Sequence, residues 1–171
     1  MRALVIAALL VLTACQEEQV EVPGPVSLTA DALGHFCQMQ VIEHGGPKAQ
    51  IHLEGYSQPI FFAQVRDGLA YLKGPERIAR VVAVYVSDMG AAASWAEPGA
   101  DNWIKADTAL FVVGADVTGG MGAPEVAPFL THEAAEGFAG RKGGTVMTLD
   151  QIPDAAVFSA IEISLPKDDE S

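Results

Sequence analysis

Apolar and polar positions along the chain alternate between two periods, with glycine marking the boundaries. An unbroken apolar run fills residues 3–12, and a polar, proline-bearing stretch follows to residue 25. Residues 36–41 (FCQMQV) and 49–53 (AQIHL) alternate with period two, so each reads as a strand. Gly45-Gly46-Pro47 makes the turn between them. Residues 59–72 predict a helix, because Phe62, Val65, Leu69 and Leu72 recur at three- and four-residue spacing. Gly74-Pro75 stops it. Residues 78–86 (IARVVAVYV) are β-branched and apolar, a strand buried on at least one face.

The second half repeats this plan. Residues 109–113 (ALFVV) read as a strand, Gly119-Gly120-Met121-Gly122 as a glycine-rich turn, and residues 125–129 as a second strand. Thr131 stands at an N-cap position ahead of a helix over residues 133–139. Gly143-Gly144 ends that helix before a last strand over residues 145–149. GGPKAQIHL and GGMGAPEVAPF show the same order of double glycine and strand. The pattern predicts an α+β fold of two small ββαβ units in tandem, residues 26–93 and 105–166, joined by a linker over residues 94–104. One continuous α/β domain is the alternative arrangement.

The ends carry addresses rather than fold. Met1-Arg2 and the apolar run have the form of a signal peptide and are too short to span a bilayer. The run closes on Leu12-Thr13-Ala14-Cys15, which resembles a lipobox. Residues 1–14 are therefore expected to be cleaved and Cys15 to be lipidated, which fixes an exported domain to a membrane by its anchor alone. Residues 15–25 then form an acidic tether, and residues 167–171 an acidic tail.

Charge and cysteine count narrow the function. The net charge of −12 argues against nucleic acid, which demands basic patches, and suits a cationic cargo or partner. With Cys15 lipidated, Cys37 is the one thiol left among the two cysteines, so no intramolecular disulfide forms. On a strand, Cys37 and Met39 would point the same way with Cα atoms about 6.6 Å apart. Thiolate and thioether are soft donors that select Cu(I), with imidazole acceptable as a third ligand. Structural zinc would call for more Cys and His.

Met89, just after a buried strand, and Met121, in the glycine turn, are further candidate ligands; core gap-filling is the alternative for each. Met147, inside a strand, reads as core. Of the histidines, His44 is favoured because the glycine turn can swing it over Met39, with His35 also flanking the pair. His52 and His132 read as surface residues.

Several of these segments carry a resemblance. Cys37-Gln38-Met39, GGPKAQIHL, FFAQVRDGLAYL, AVYVSDMG, the Trp95 to Trp103 stretch and GGMGAPEVAPF resemble, in order, the NosL family across the mature chain. The resemblance implies a periplasmic lipoprotein of two ββαβ units. It implies a chaperone that supplies Cu(I) to nitrous oxide reductase for its copper–sulfur centre, working beside other membrane-linked copper-supply or assembly proteins. Gln38 stands where many members have glycine. Met89 and Met121 fall in the family's DMG and GGMG segments. Two other classes compete: an enzyme with Cys37 as nucleophile, which would need an oriented histidine base, and a docking lipoprotein with no metal.

Overall fold

Two antiparallel sheets share one core. A computed structural model describes residues 22–160; the signal, Cys15, most of the tether and the acidic tail lie outside the described residues. The first sheet has the order β2-β1-β3-β4, from β1 (Ala49–Leu53), β2 (Ile60–Phe62), β3 (Val81–Ser87) and β4 (Trp103–Lys105). The second has the order β6-β5-β7, from β5 (Leu110–Val113), β6 (Ala127–Phe129) and β7 (Thr145–Thr148). Helix α1 (Val65–Lys73) sits between β2 and β3, and α2 (His132–Lys142) between β6 and β7. Each unit is therefore ββαβ with its first strand in the middle. A short third helix, α3 (Asp154–Phe158), closes against α1.

The elements form for different reasons. Helix α1 buries Val65, Leu69 and Tyr71 against the first sheet. Gly68 lets it come close: a Cβ there would lie 2.8 Å from the Ala49 Cβ. Helix α2 is capped as its sequence predicts, the Thr131 hydroxyl accepting from the Ala134 amide at 3.2 Å. The main core joins Ile51, Leu53, Phe62 and Val65 of the first unit to Phe111, Val126 and Ile152 of the second. Neither unit completes that core alone.

Three expectations are corrected. Residues 36–41 are not a strand, and the first unit instead takes its second strand from residues 60–62, the start of the expected helix. Pairing decides this, because Ile60, Phe61 and Phe62 are opposite Ile51, Gln50 and Ala49 on β1. Trp103–Lys105, expected in the linker, forms β4 against β3, with Val86 opposite Ile104. His52 is buried rather than exposed, because the second face of β1 is covered as well.

That cover is the chain just after the tether. The side-chain amide of Gln50 accepts from the Val26 N–H at 2.8 Å and donates to the Val26 carbonyl at 2.9 Å. The Tyr85 hydroxyl donates to the Pro23 carbonyl at 2.7 Å. His52 Nε2 donates to Gln50 Oε1 at 3.1 Å, its ring edge-on to Tyr85. Gln50 thus substitutes for a missing strand partner. Gln50→Leu removes three hydrogen bonds, two of them to Val26, worth about 1 kcal/mol each. Amide exchange at Val26 should then speed up at least roughly tenfold, read by hydrogen–deuterium exchange; unchanged protection would refute the clasp.

Candidate metal centre

The Cys37–Met39 motif sits at the tip of a tight hairpin. Leu33 bridges to Gln40, the Gly34 amide donates to the Met39 carbonyl at 2.9 Å, and the Gln38 amide donates to the Gly34 carbonyl at 2.8 Å. Gln38 holds φ = 57°, the left-handed region, which turns the chain back and ends the alternation that a strand would need. Its own side chain supports the turn, Nε2 donating to the His35 carbonyl at 2.8 Å. The thiol of Cys37 folds back over Gly34, where a Cβ would collide with it, and is half-buried. Met39 is 42% exposed. Cys37 and Met39 are therefore both carried on a turn, not on one face of a strand.

The hairpin is hung on β2. Gly34 bridges to Phe61, and the His35 amide donates to the Phe61 carbonyl at 2.7 Å. Beneath it, Val41 and Ala32 pack with Leu28 and Phe61. The His35 ring turns into an aromatic group with Phe36, Phe62 and Tyr71, its centroid 5.4–5.7 Å from the latter two.

His44 follows a single 3-10 turn, Val41–Glu43. Its Nδ1 lies 3.1 Å from the Gly120 carbonyl. A carbonyl only accepts, so Nδ1 carries the hydrogen, and the neutral ring keeps its lone pair on Nε2. A backbone carbonyl on the second ring nitrogen is the usual arrangement of a metal-binding histidine. Gly120 immediately precedes Met121, whose side chain is 38% exposed and whose amide donates to Gln64 Oε1 at 2.9 Å.

The two glycine turns interlock here. A Cβ on Gly120 would lie 2.8 Å from the Gly45 carbonyl, and one on Gly46 would lie 3.5 Å from the Gly119 Cα. Trp95 brackets them, its carbonyl accepting from Gly46 N at 2.7 Å and its Nε1 donating to the Thr118 carbonyl at 3.0 Å. The structure thus sets the His44 ring against the carbonyl of Gly120, next to Met121, and carries Cys37 and Met39 on one hairpin. Both pairs are carried on adjoining residues of one segment, since the hairpin hangs at Phe61 and the Gly120 turn rests against the Ala63 carbonyl.

Met89 is placed elsewhere. Its amide donates to the Pro128 carbonyl, and its side chain packs with Phe129 against the second sheet's cluster. His132 is exposed, 3.6 Å from Glu136 on its own helix. Among the described residues, no three of His, Cys, Asp and Glu gather as a metal cluster.

Sequence reasoning missed a buried polar frame. Lys48 is 1% exposed, and its Nζ donates to the carbonyls of Gly45 (2.8 Å), Gly46 (2.6 Å) and Ala63 (3.2 Å). Glu125 Oε1 accepts from the amides of Arg66 and Val126, while Oε2 is buried without a partner. Burial pushes the Glu125 carboxyl up to about 8, opposed by those two amides and by Lys48. Burial also lowers Lys48 to about 8, and Glu125 opposes that shift. The available signal was Lys48 and Glu125 each standing in an otherwise apolar or small-residue stretch directly after a glycine turn.

The fold is thus a mixed one of two small antiparallel sheets, with Cys37 and Met39 on one turn and the His44 imidazole hydrogen-bonded to another. The chain belongs to the NosL family, whose model matches residues 25–157. It is 51% identical over 160 residues to the copper-binding lipoprotein NosL of Achromobacter cycloclastes, covering 93% of this chain and 83% of that one. It is 31% identical to the protein of the same description from Stutzerimonas stutzeri, covering 87% and 77%. The crystal structure of the copper chaperone NosL from Shewanella denitrificans superposes with a TM-score of 0.72 at 32% identity, covering 77% of this chain and 97% of that one. The solution structure of apo-NosL from Achromobacter cycloclastes superposes at 0.50, covering 68% and 94%.

Two outcomes check this geometry. A β-branched residue at φ = 57° is strained, so Gln38→Val should cost about 1–2 kcal/mol, whereas Gln38→Gly, losing the amide contacts but relaxing the backbone, should stay within about 0.5 kcal/mol; urea denaturation reads both. For Glu125 the folded value, about 8, lies above the ordinary value of 4.5. Its contribution is complete below about pH 4.5 and is lost as pH rises through about 8. Wild type should therefore lose on the order of a few kcal/mol of stability relative to Glu125→Gln across that window. A flat difference would refute the buried acid.

Proposed function

We propose that this protein is a lipid-anchored periplasmic metallochaperone that holds Cu(I) and passes it to nitrous oxide reductase for assembly of its copper–sulfur centre. Its relatives are named copper-binding lipoproteins and a copper chaperone. The acceptor and the copper–sulfur centre are what the family resemblance implies, as is work beside other membrane-linked copper-supply proteins. Cys15 is the anchor.

The observation that carries the reading is the pairing of two soft-donor turns on one segment. Cys37 and Met39 supply thiolate and thioether. His44 supplies an imidazole nitrogen whose partner nitrogen is already engaged, and Met121 a second thioether. This donor set is that of Cu(I), not of a closed zinc site. The backbone from Met39 to His44 spans at most about 13 Å, from about 3.3 Å per extended residue and 2.0 Å per 3-10 residue, within reach of converging long side chains. Partly exposed donors let an acceptor's thiolate or imidazole replace them one at a time. Met89, packed beside Phe129, is the weakest member of the five candidates.

The test is competition for Cu(I) against a calibrated chelator, using the full chain in detergent. Cys37→Ala and Met39→Ala should each weaken retention by at least about tenfold, and His44→Ala and Met121→Ala by roughly tenfold, on the scale of a lost donor or its orienting partner. Met89→Ala should change it less. Equal retention after joint replacement of Cys37 and Met39 would overturn the reading and leave a docking lipoprotein in its place.

A further inference from the structure

Between the two glycine turns lie side chains that no ligand role explains. Gln64 occupies the N-cap position of α1, yet its side chain caps nothing. Instead it is buried at 2% exposure, with Oε1 accepting from the Met121 amide at 2.9 Å and Nε2 donating to Asp67 at 3.2 Å. A helix start thus forgoes its own cap to hold a residue 57 positions away. Lys48 behaves alike on the other side: its ammonium draws together the carbonyls of Gly45 and Gly46, directly after His44, and that of Ala63, directly before Gln64.

We propose that Lys48 and Gln64 are positioning residues that fix the two glycine turns so that His44 and Met121 are presented to one ion as a preformed pair. This rests on the Cu(I) reading above. Lys48 acts on the His44 side, because Gly45 and Gly46 have no side chain to anchor them and their carbonyls are held by the ammonium. Gln64 acts on the Met121 side, because Gly119 and Gly120 leave the Met121 amide as the polar grip on that loop. Gly119 leaves room for this grip: a Cβ there would lie 2.6 Å from Gln64 Oε1 and 2.5 Å from Glu125 Oε2. The frame is buried, while His44 is half-buried and Met121 is exposed.

Double-mutant cycles on the full chain test the assignment, with Cu(I) competition as the readout. Lys48→Met and Gln64→Leu should each weaken Cu(I) binding about tenfold. Lys48→Met combined with His44→Ala should bind no more weakly than His44→Ala alone, and Gln64→Leu with Met121→Ala no more weakly than Met121→Ala alone. The crossed pairs should add. Two spectra separate positioning from general loosening: the His44 ring nitrogens should lose their fixed Nδ1–H pattern in Lys48→Met, and the Met121 methyl signal should stop shifting with Cu(I) in Gln64→Leu. Should either variant fail to fold, Lys48→Gln and Gln64→Asn take the same places. Wild-type affinity in the Lys48 and Gln64 variants, or additive losses with their own partners, would overturn the positioning role while leaving the copper reading intact. Wild-type affinity in both His44→Ala and Met121→Ala would overturn the ligand assignment and this role with it.

Discussion

An ammonium group without water is the constraint around which this molecule is arranged. Burying the Lys48 charge is costly unless it is hydrogen-bonded, and the three carbonyls of Gly45, Gly46 and Ala63 use all three of its donors. Those carbonyls belong to two places distant in sequence. Satisfying one lysine therefore docks the turn after His44 onto the end of β2. Two residues earlier on β2, Phe61 carries the Cys37 hairpin; one residue later, Gln64 grips the Met121 loop. Four candidate donors are thus referred to a single short segment, and the lysine holds the segment in place.

This arrangement divides stiffness from exchange. The groups that set geometry, namely Lys48, Gln64, Glu125 and the backbone of β2, are buried. Those offered to an ion, Met39 and Met121 most openly, are exposed on turns. A resident structural metal is enclosed by its ligands. A cargo ion needs ligands that an acceptor can reach and replace, over a base that does not collapse when one of them leaves. The half-buried Cys37 thiol, tucked over Gly34, lies between these extremes, sheltered by the hairpin yet not sealed in the core.

The second unit was readable because its signals are local: the β5 run, the Thr131 cap and the glycines after α2 each act within a few residues. The first unit was less so. Residues 36–41 have strand alternation, but one left-handed residue, Gln38, converts them into a hairpin, and a glutamine gives no warning of positive φ as glycine would. Residues 59–72 have helical spacing, but their first three residues answer to the open edge of β1, which lies outside any local window. His52 alternated as a surface residue should. Pro23 to Pro25 read as tether because the hold there comes from the Tyr85 hydroxyl on the Pro23 carbonyl, and Gln50 clasps Val26 directly after them. Cys37, Met39, His44 and Met121 are candidate donors by side-chain chemistry alone. The buried Lys48 and Gln64 beside the glycine turns were not legible, since a buried Lys or Gln looks in sequence like any polar residue on a strand or cap.

The double glycines show why sequence echo and structural repeat need not coincide. By topology β1 corresponds to β5 and β2 to β6, each unit placing its first strand centrally. Gly45-Gly46 precedes β1, however, whereas Gly119-Gly120 precedes β6, so the similar motifs occupy different places in the two units. What they share is a contact: the turns touch, and a Cβ on Gly120 would collide with the Gly45 carbonyl. Each glycine nevertheless has its own reason, since Gly46 holds a positive φ of 80° and a Cβ on Gly119 would collide with Gln64 and Glu125. In the proposed site, the His44 and Met121 halves therefore meet only when both units are docked. An ion bridging them would bind the docked form and not the separated one, and by mass action would stabilise the same junction that creates its site.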